Sequence, residues 1–334
     1  MTAKVTVISV GAVSAFGPHT SDFLTGIRSK RCACREIVGF EAPPESPGIG
    51  AELRDFQIGA FIPSIKSYVD RCTALALKAG LDALSAPAVV ARRAAKVGLC
   101  FGSEFACLET MNLYCSTGLD KGWRFAPPFL FIHSYANTPA AEMHIDLGMK
   151  GFSNVFSGGP NAGWEAVSDA IAVLGRGQAG MLLTGASEAL GPSRYKYYHG
   201  AGNLGTVDKP NQAFIPGEGA AFLLLCGPDS VEEALALSGA SEPLGQIEIC
   251  PSEESQCEKS SFVFRSTPDG LSPAENDGKQ ERIDLRSLTG MCGAADVPLA
   301  IAAFFGNDEY PRGSSALFPP PLPGFGAALS ATKT

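Results

Sequence analysis

Ten cysteines and four histidines are the residues of this 334-residue sequence best suited to nucleophilic or metal chemistry. Their spacing limits them. No Cys-x-x-Cys occurs, and the one close pair, Cys32-Ala33-Cys34, has no second pair or nearby histidine to complete a zinc site. Cys100 in "VGLCFG" and Cys226 in "FLLLCG" sit in apolar runs, where a free thiol packs as a small hydrophobe. The histidines are His19, His133, His144 and His199, and none follows residue 199. A cysteine nucleophile needs a neighbour that stabilises its thiolate. Neither Cys292, in a glycine loop, nor Cys107 has a histidine beside it in sequence. His133 and His144 lie in helical, apolar stretches, where a packing role is the ordinary expectation.

The stretch "FSGGPNAGWEAV", residues 156–167, has the form of a nucleophile turn without the nucleophile. A brief apolar run, a glycine-rich turn and a helical pattern follow one another, and the helix N-terminus would favour an anion. The turn carries no Cys or His, and Pro160 stands in its middle. Proline is favoured in the first turn of a helix, where its missing N–H is not needed, so Pro160 reads on its own as a helix starter. "GASEA" at 185–189 is not the Gly-x-Ser-x-Gly elbow of a serine hydrolase.

The surrounding elements read as α/β. "KVTVISVGAVSAFG" is a β-branched strand ending in a Gly-rich loop, not a signal peptide. Apolar residues at Val69, Cys72, Leu75, Ala76, Ala79 and Leu84 have helical spacing, with Asp70 in the first turn. "KVGLCFGS", "NVF", Met181–Thr184 and "PGEGAAFLLLCG" read as strands, and "NTPAAEMHIDLG" and the residues after Pro160 as helices. Strand, helix and strand within about 30 residues form a βαβ unit with parallel strands. Beyond residue 228 the character changes. Residues 251–282 are polar and rich in Ser, Glu and Pro, an exposed loop in which only "SFVFRST" has strand character. Order returns with "IDLRSLTGMCGAADVPLAIAAFF". No clear internal sequence repeat is evident, although two βα turns of similar design appear in the two halves. With 45% hydrophobic residues, 18% charged residues and a net charge of −8, the composition fits a soluble cytoplasmic protein. Nucleic acid and membrane are not expected partners, and no metal or cofactor is expected.

In their order these motifs resemble the β-ketoacyl synthases of the thiolase fold. "VTVISVGAVSAFG" resembles the family's opening strand and loop, and "VDRCTALALKAGLDAL" its first long helix with the Asp-Arg pair. "FAPPFLFIHSYANTPAAEMHIDLGMKG", with Asn137, resembles the segment before the nucleophile. "GRGQAGMLLTGASEAL", "FIPGEGAAFLLL", "SLTGMCGAADVPLAI" and "GFGAALSA" follow in family order. The resemblance implies two related βαβαβ halves, residues 1–228 and a shortened 229–334, in an α-β-α-β-α sandwich.

The resemblance also implies what is missing. The family's nucleophile is a cysteine at the start of the helix, and Pro160 stands in its place. That substitution removes a thiol and an oxyanion-hole N–H together, a loss worth a few kcal/mol of transition-state stabilisation in enzymes that use such a donor. The other donor would come from Phe325. Of the family's two catalytic histidines, one has no counterpart loop, and Met291 or Cys292 stands where the other would be. The emptied pocket would comprise Asn161, Phe214, Gly290 and Phe325. Family members dimerise through the strand before the nucleophile, here Asn154, Val155, Phe156 and Ser157. The expected role is that of a chain-length-factor-like subunit, without activity of its own, paired with an active ketosynthase that brings acyl-carrier protein in fatty-acid or polyketide-type elongation. Phe129, Phe131 and Tyr135 are candidate tunnel-lining residues, each read singly as core packing. Two alternatives stand: an acyltransferase using Cys292, and a homodimeric binding or scaffold protein.

Overall fold

The computed structural model describes residues 4–65, 68–84, 94–206, 214–251, 262–264, 281–283, 285–321 and 327–334. Ten strands make one mixed sheet. In chain order they are β1 (Lys4–Ser14), then, after the two-residue strands β2 (Arg35–Glu36) and β3 (Ile49–Gly50) that pair only with each other, β4 (Val97–Gly102), β5 (Ser153–Phe156), β6 (Met181–Glu188), β7 (Gly219–Cys226), β8 (Gly245–Pro251), β9 (Phe262–Phe264), β10 (Glu281–Ile283), β11 (Ser315–Phe318) and β12 (Ala327–Lys333). The order across the sheet is β10-β9-β11-β12-β8-β1-β7-β6-β4-β5.

That order contains the repetition that the resemblance implied. From its outer edge inward, the first half runs β5-β4-β6-β7-β1, and the second runs β10-β9-β11-β12-β8. Numbered within each half, both read third, second, fourth, fifth, first. In both, the second strand is parallel to the third and fourth, and the fifth is antiparallel to its neighbours. The shortened second half therefore keeps all five strands. β9 and β10 lie inside or at the end of the stretch read as loop; the rest of 252–280 lies outside the described residues. The halves join through β1, whose first residues pair with β8 and whose remainder pairs with β7. Its β-branched residues suit it to a strand with a neighbour on each side.

Helices fill the space between and around the strands. The one to follow β1 is α1 (Thr20–Arg28), then α2 (Arg71–Ala83). Asp70 is the N-cap of α2 and accepts the Cys72 N–H at 2.8 Å, which fixes the start of the helix where the acidic residue was expected. β4 is followed by α3 (Leu108–Lys121), α4 (Pro128–Ile132) and α5 (Thr138–Asp146); α2 and α5 cover one face of the first half. β5 leads to α6 (Ala162–Gly175) and then β6, the expected βαβ unit. β6 runs four residues beyond Thr184. After it come α7 (Pro192–Gly200), α8 (Val231–Ser238) and α9 (Asp296–Gly306).

α6 and α9 pack together between the two halves. Their apolar faces share one core with Val5, Val7 and Leu223 of the first half and Ile247, Phe318 and Leu329 of the second. Trp164 of α6 donates its indole N–H to the Phe318 carbonyl of β11 at 3.3 Å. Strands thus lie on both sides of a helical layer, with α2 and α5 outside. At Gly163 the α6 backbone meets the segment entering α9: a Cβ there would fall 1.9 Å from the Ala294 oxygen. No helix among the described residues is long and apolar enough to cross a membrane.

Candidate functional site

The glycine-rich turn leaves β5 at Ser157. Gly159 has φ +90°, and its carbonyl accepts the Ala162 N–H at 3.0 Å, closing the turn. Pro160 lies half-buried inside that turn. It does not start the helix, as its type alone had implied: buried Asn161 is the N-cap, and Ala162 is the first helical residue. Pro160 therefore faces the front of α6 with neither a thiol nor an N–H to offer.

The 290–295 loop lies directly against this start, through the Gly163–Ala294 contact. Gly290 has φ +68° and sits on the Ile215 carbonyl. The Met291 N–H donates to Ile215 O at 2.7 Å, and Met291 O accepts the Gly217 N–H at 2.9 Å. Phe214 precedes this contact and stacks edge-to-face on Tyr198 at 4.7 Å. Asn161, Phe214, Gly290, Met291 and Cys292 thus lie on three segments that abut. Phe325 lies outside the described residues.

Cys292 does not have the environment of a nucleophile. It is fully buried, and its Sγ points at the Thr289 and Gly290 carbonyls, each 3.7 Å away. Burial pushes the thiol well up, and the Asp296 carboxylate pushes it further. Cys107 is buried at the start of α3 and shifted the same way, by burial and then Asp70. No histidine assists either. His19 precedes α1 and packs on the Phe61 ring, His144 Nδ1 lies 2.8 Å from Ala140 O, and His199 is in the last turn of α7. His133 Nδ1 lies 3.5 Å from Glu142, beside the Tyr68 ring.

Sequence reasoning missed a charged cluster at the same place. Glu188 ends β6 and is fully buried. Its carboxylate accepts the Ser103 hydroxyl at 2.9 Å, the Phe105 N–H at 3.3 Å and the Glu104 N–H. Burial pushes Glu188 up to about 7, against the pull of Arg194. Arg194 of α7, also fully buried, donates to the carbonyls of Ala189 (2.9 Å), Gly217 (2.8 Å) and Met291 (3.0 Å). Its guanidinium lies 5.6 Å from the Phe105 ring centre and 5.5 Å from that of Tyr198. The cluster occupies the C-terminal ends of parallel strands β4 and β6, the edge where open α/β sheets place their ligands. The single acid in the apolar run "MLLTGASEAL" is the available sequence clue.

Two quoted motifs prove to be one structural unit. Arg71, of the Asp-Arg pair, donates to Glu218 at 3.0 Å through Nε and 2.7 Å through Nη2. The Glu218 carboxylate is fully buried and also accepts the Leu53 and Leu190 N–H groups. This pair binds the start of α2 to the start of β7 and carries no chemistry.

The aromatic residues before α5 are not core. Phe129, Phe131 and Tyr135 are each more than 40% exposed, as are Trp123, Phe125 and Ile132. Their rings associate on the surface: Phe131 lies 5.0 Å from Tyr135 and 5.4 Å from Tyr114, which lies 5.9 Å from Trp123. β5 is the outer strand of its half, with Asn154, Val155 and Phe156 half-buried; Ser157 lies just beyond it.

The model of the β-ketoacyl synthase N-terminal domain matches residues 2–229. The chain belongs to the β-ketoacyl synthase family. This family member is 27% identical, over 248 residues, to the 3-oxoacyl-[acyl-carrier-protein] synthase 2 of Synechocystis sp. (strain ATCC 27184 / PCC 6803 / Kazusa). The match covers 70% of the chain and 59% of that relative, so the chain spans about three-fifths of its length. The fold is that of solved ketosynthases. The ishigamide ketosynthase/chain length factor superposes with a TM-score of 0.78 at 15% identity, covering all of both chains. A type II PKS acyl-carrier protein in complex with its ketosynthase bound to the hexaketide gives 0.75 at 19%, again over all of both chains.

Proposed function

We propose that this ketosynthase-like chain is a subunit without acyl-transfer chemistry of its own, which pairs in the cytoplasm with an active β-ketoacyl synthase in fatty-acid or polyketide-type chain elongation. One observation carries the reading: the turn at the head of α6 presents Pro160, which has neither a nucleophile nor an N–H. The neighbouring 290–295 loop adds no base, and its thiol, Cys292, is held in the protonated form. Acyl transfer needs an activated nucleophile and a donor for the developing oxyanion.

The reading assigns a use to the surfaces that remain. The Asn154–Ser157 edge would join the corresponding edge of the active partner, since an unpaired strand is a ready template for another. The aromatic face of α4 and the residues before it would be buried in that assembly and help wall the path of the growing chain. Acyl-carrier protein would be engaged through the partner. The boundary between the two halves would fall near residue 228, before the sheet passes to β8.

Co-expression with a β-ketoacyl synthase that retains its cysteine and histidines tests the pairing. The expected result is a stable 1:1 complex that elongates acyl chains, while this chain alone does not. A homodimer that ignores that synthase would contradict it and favour the scaffold reading.

A further inference from the structure

Glu104 stands between the two loops on which the lost catalytic groups of the family would be placed. It follows Ser103, whose N–H donates to the Phe156 carbonyl at 3.0 Å, so its backbone lies beside the exit of β5 into the Pro160 turn. Its side chain reaches the other loop. The Glu104 Oε2 lies 2.5 Å from where a Cβ on Gly293 would be, with Arg194 Nη2 at 3.3 Å and Glu188 Cγ at 3.4 Å from the same point. Gly293 has φ +56°, so both its conformation and the acids packed on it exclude a side chain.

The Glu104 carboxyl is poorly provided for. Oε2 is shut off from solvent and has no hydrogen-bond partner among the described residues. Burial pushes this carboxyl up, offset in part by Arg194. Arg194 gives Nη1 and Nη2 to three backbone carbonyls and leaves Nε unpaired among the described residues, and Glu188 is satisfied by the 103–105 segment. An unmet buried carboxyl oxygen costs free energy, so local stability does not account for this acid. Its position offers another account: its backbone lies beside the Pro160 turn and its carboxyl packs on Gly293 of the 290–295 loop, with Glu188 and Arg194 at the same point.

We propose that Glu104 closes this subunit's own acyl pocket, so that the chain being elongated is excluded from its interior and meets this subunit only as an outer wall. The proposal rests on the reading that the subunit does no chemistry, and it names what has replaced the emptied site. Glu104, Glu188 and Arg194 are the charged groups packed at Gly293, and desolvating them against methylenes is unfavourable.

The test is photolabelling of the full chain with dodecanoic acid carrying a diazirine at its far end, read by peptide mapping. In the wild type, segments 101–107 and 288–296 should remain unlabelled. In Glu104→Ala, checked for folding by thermal unfolding, both should be labelled about tenfold more, the change expected when roughly 1.4 kcal/mol of exclusion is lost. Label in those segments of the wild type overturns the proposal whether or not the variant folds. So does a folded Glu104→Ala that labels no better than the wild type. A covalent acyl adduct formed in the dark from acyl-carrier protein would instead overturn the non-catalytic reading, and intact mass separates the two failures.

Discussion

Ser103 donates its hydroxyl to Glu188 at 2.9 Å, tying the end of β4 to the end of β6 at the edge of the sheet where the candidate site lies. Both residues are buried. The bond fixes the loop that carries Glu104 and Phe105, and through Arg194 the same cluster reaches the Met291 backbone. The charged groups facing Glu188 are Arg194 and Glu104.

The cluster should give the protein a distinctive pH dependence. Glu188 titrates near 7 when folded, above its ordinary value of 4.5. Below 4.5 the folded and unfolded chains both hold the proton, and its burial carries no ionisation penalty. Between 4.5 and 7 the unfolded chain releases the proton while the folded chain keeps it, so stability falls as pH rises; above 7 the difference is constant. Urea unfolding from pH 5 to 8 should show that decline in the wild type and a flatter profile in Glu188→Gln. Parallel profiles would contradict the assignment.

Removing Arg71 should be costly. Arg71→Met leaves Glu218 buried with only the Leu53 and Leu190 N–H groups. Because Arg71 is partly exposed, the expected loss is about 2–3 kcal/mol, below that of a fully buried pair. Glu218→Gln added to Arg71→Met should recover part of it, a coupling that a double-mutant cycle measures.

The helical interface should resist even one methyl group. Gly163→Ala would press a Cβ against the Ala294 carbonyl, forcing α6 away from the segment entering α9. The expected cost is about 1–3 kcal/mol, visible as a lowered Tm. An unchanged Tm would mean that the two segments are not in contact.

Much of this architecture is legible in the sequence because it follows from local rules. Asp70 before a helical apolar pattern, the β-branched β1 and the Gly-Pro turn each place an element boundary within a residue or two. The repetition of the two halves is legible only in two βα turns of similar design and through the family resemblance, because it lies in strand order and direction, which the side chains do not repeat. Phe129, Phe131 and Tyr135 mislead for a related reason. Clustered aromatic residues ordinarily mark a core, but here they lie on α4 and the residues after it, and each is more than 40% exposed. The Glu104–Glu188–Arg194 cluster joins residues from the loop after β4, from β6 and from α7, and only the fold brings them together. The deficits were legible: a proline where a nucleophile would stand, and no histidine after residue 199, need no tertiary structure to be seen.

Restoring one group should not restore chemistry. Pro160→Cys places a thiol in the turn before α6, but no histidine lies on the 290–295 loop to act with it. The variant should show no elongation of acyl-carrier-protein substrates, alone or with acyl and malonyl donors. Measurable elongation by Pro160→Cys would mean that the rest of the active site is intact.

The aromatic face gives the pairing model its own test. Phe131→Glu and Trp123→Glu each place a charge on a patch more than 40% exposed in the single chain. Folding of the isolated chain should be nearly unaffected, while affinity for the active synthase should fall by about tenfold or more, as for loss of an aromatic anchor. Unchanged affinity in a folded variant would exclude this face from the interface.

The central claim is that this chain forms no acyl-enzyme. Intact mass spectrometry after incubation with acyl-carrier protein charged with a long acyl chain, and separately with malonyl-carrier protein, tests it most directly. The account predicts an unchanged protein mass and no loss of carbon dioxide from the malonyl group. A mass increase equal to the acyl chain, mapped to any cysteine, would contradict it.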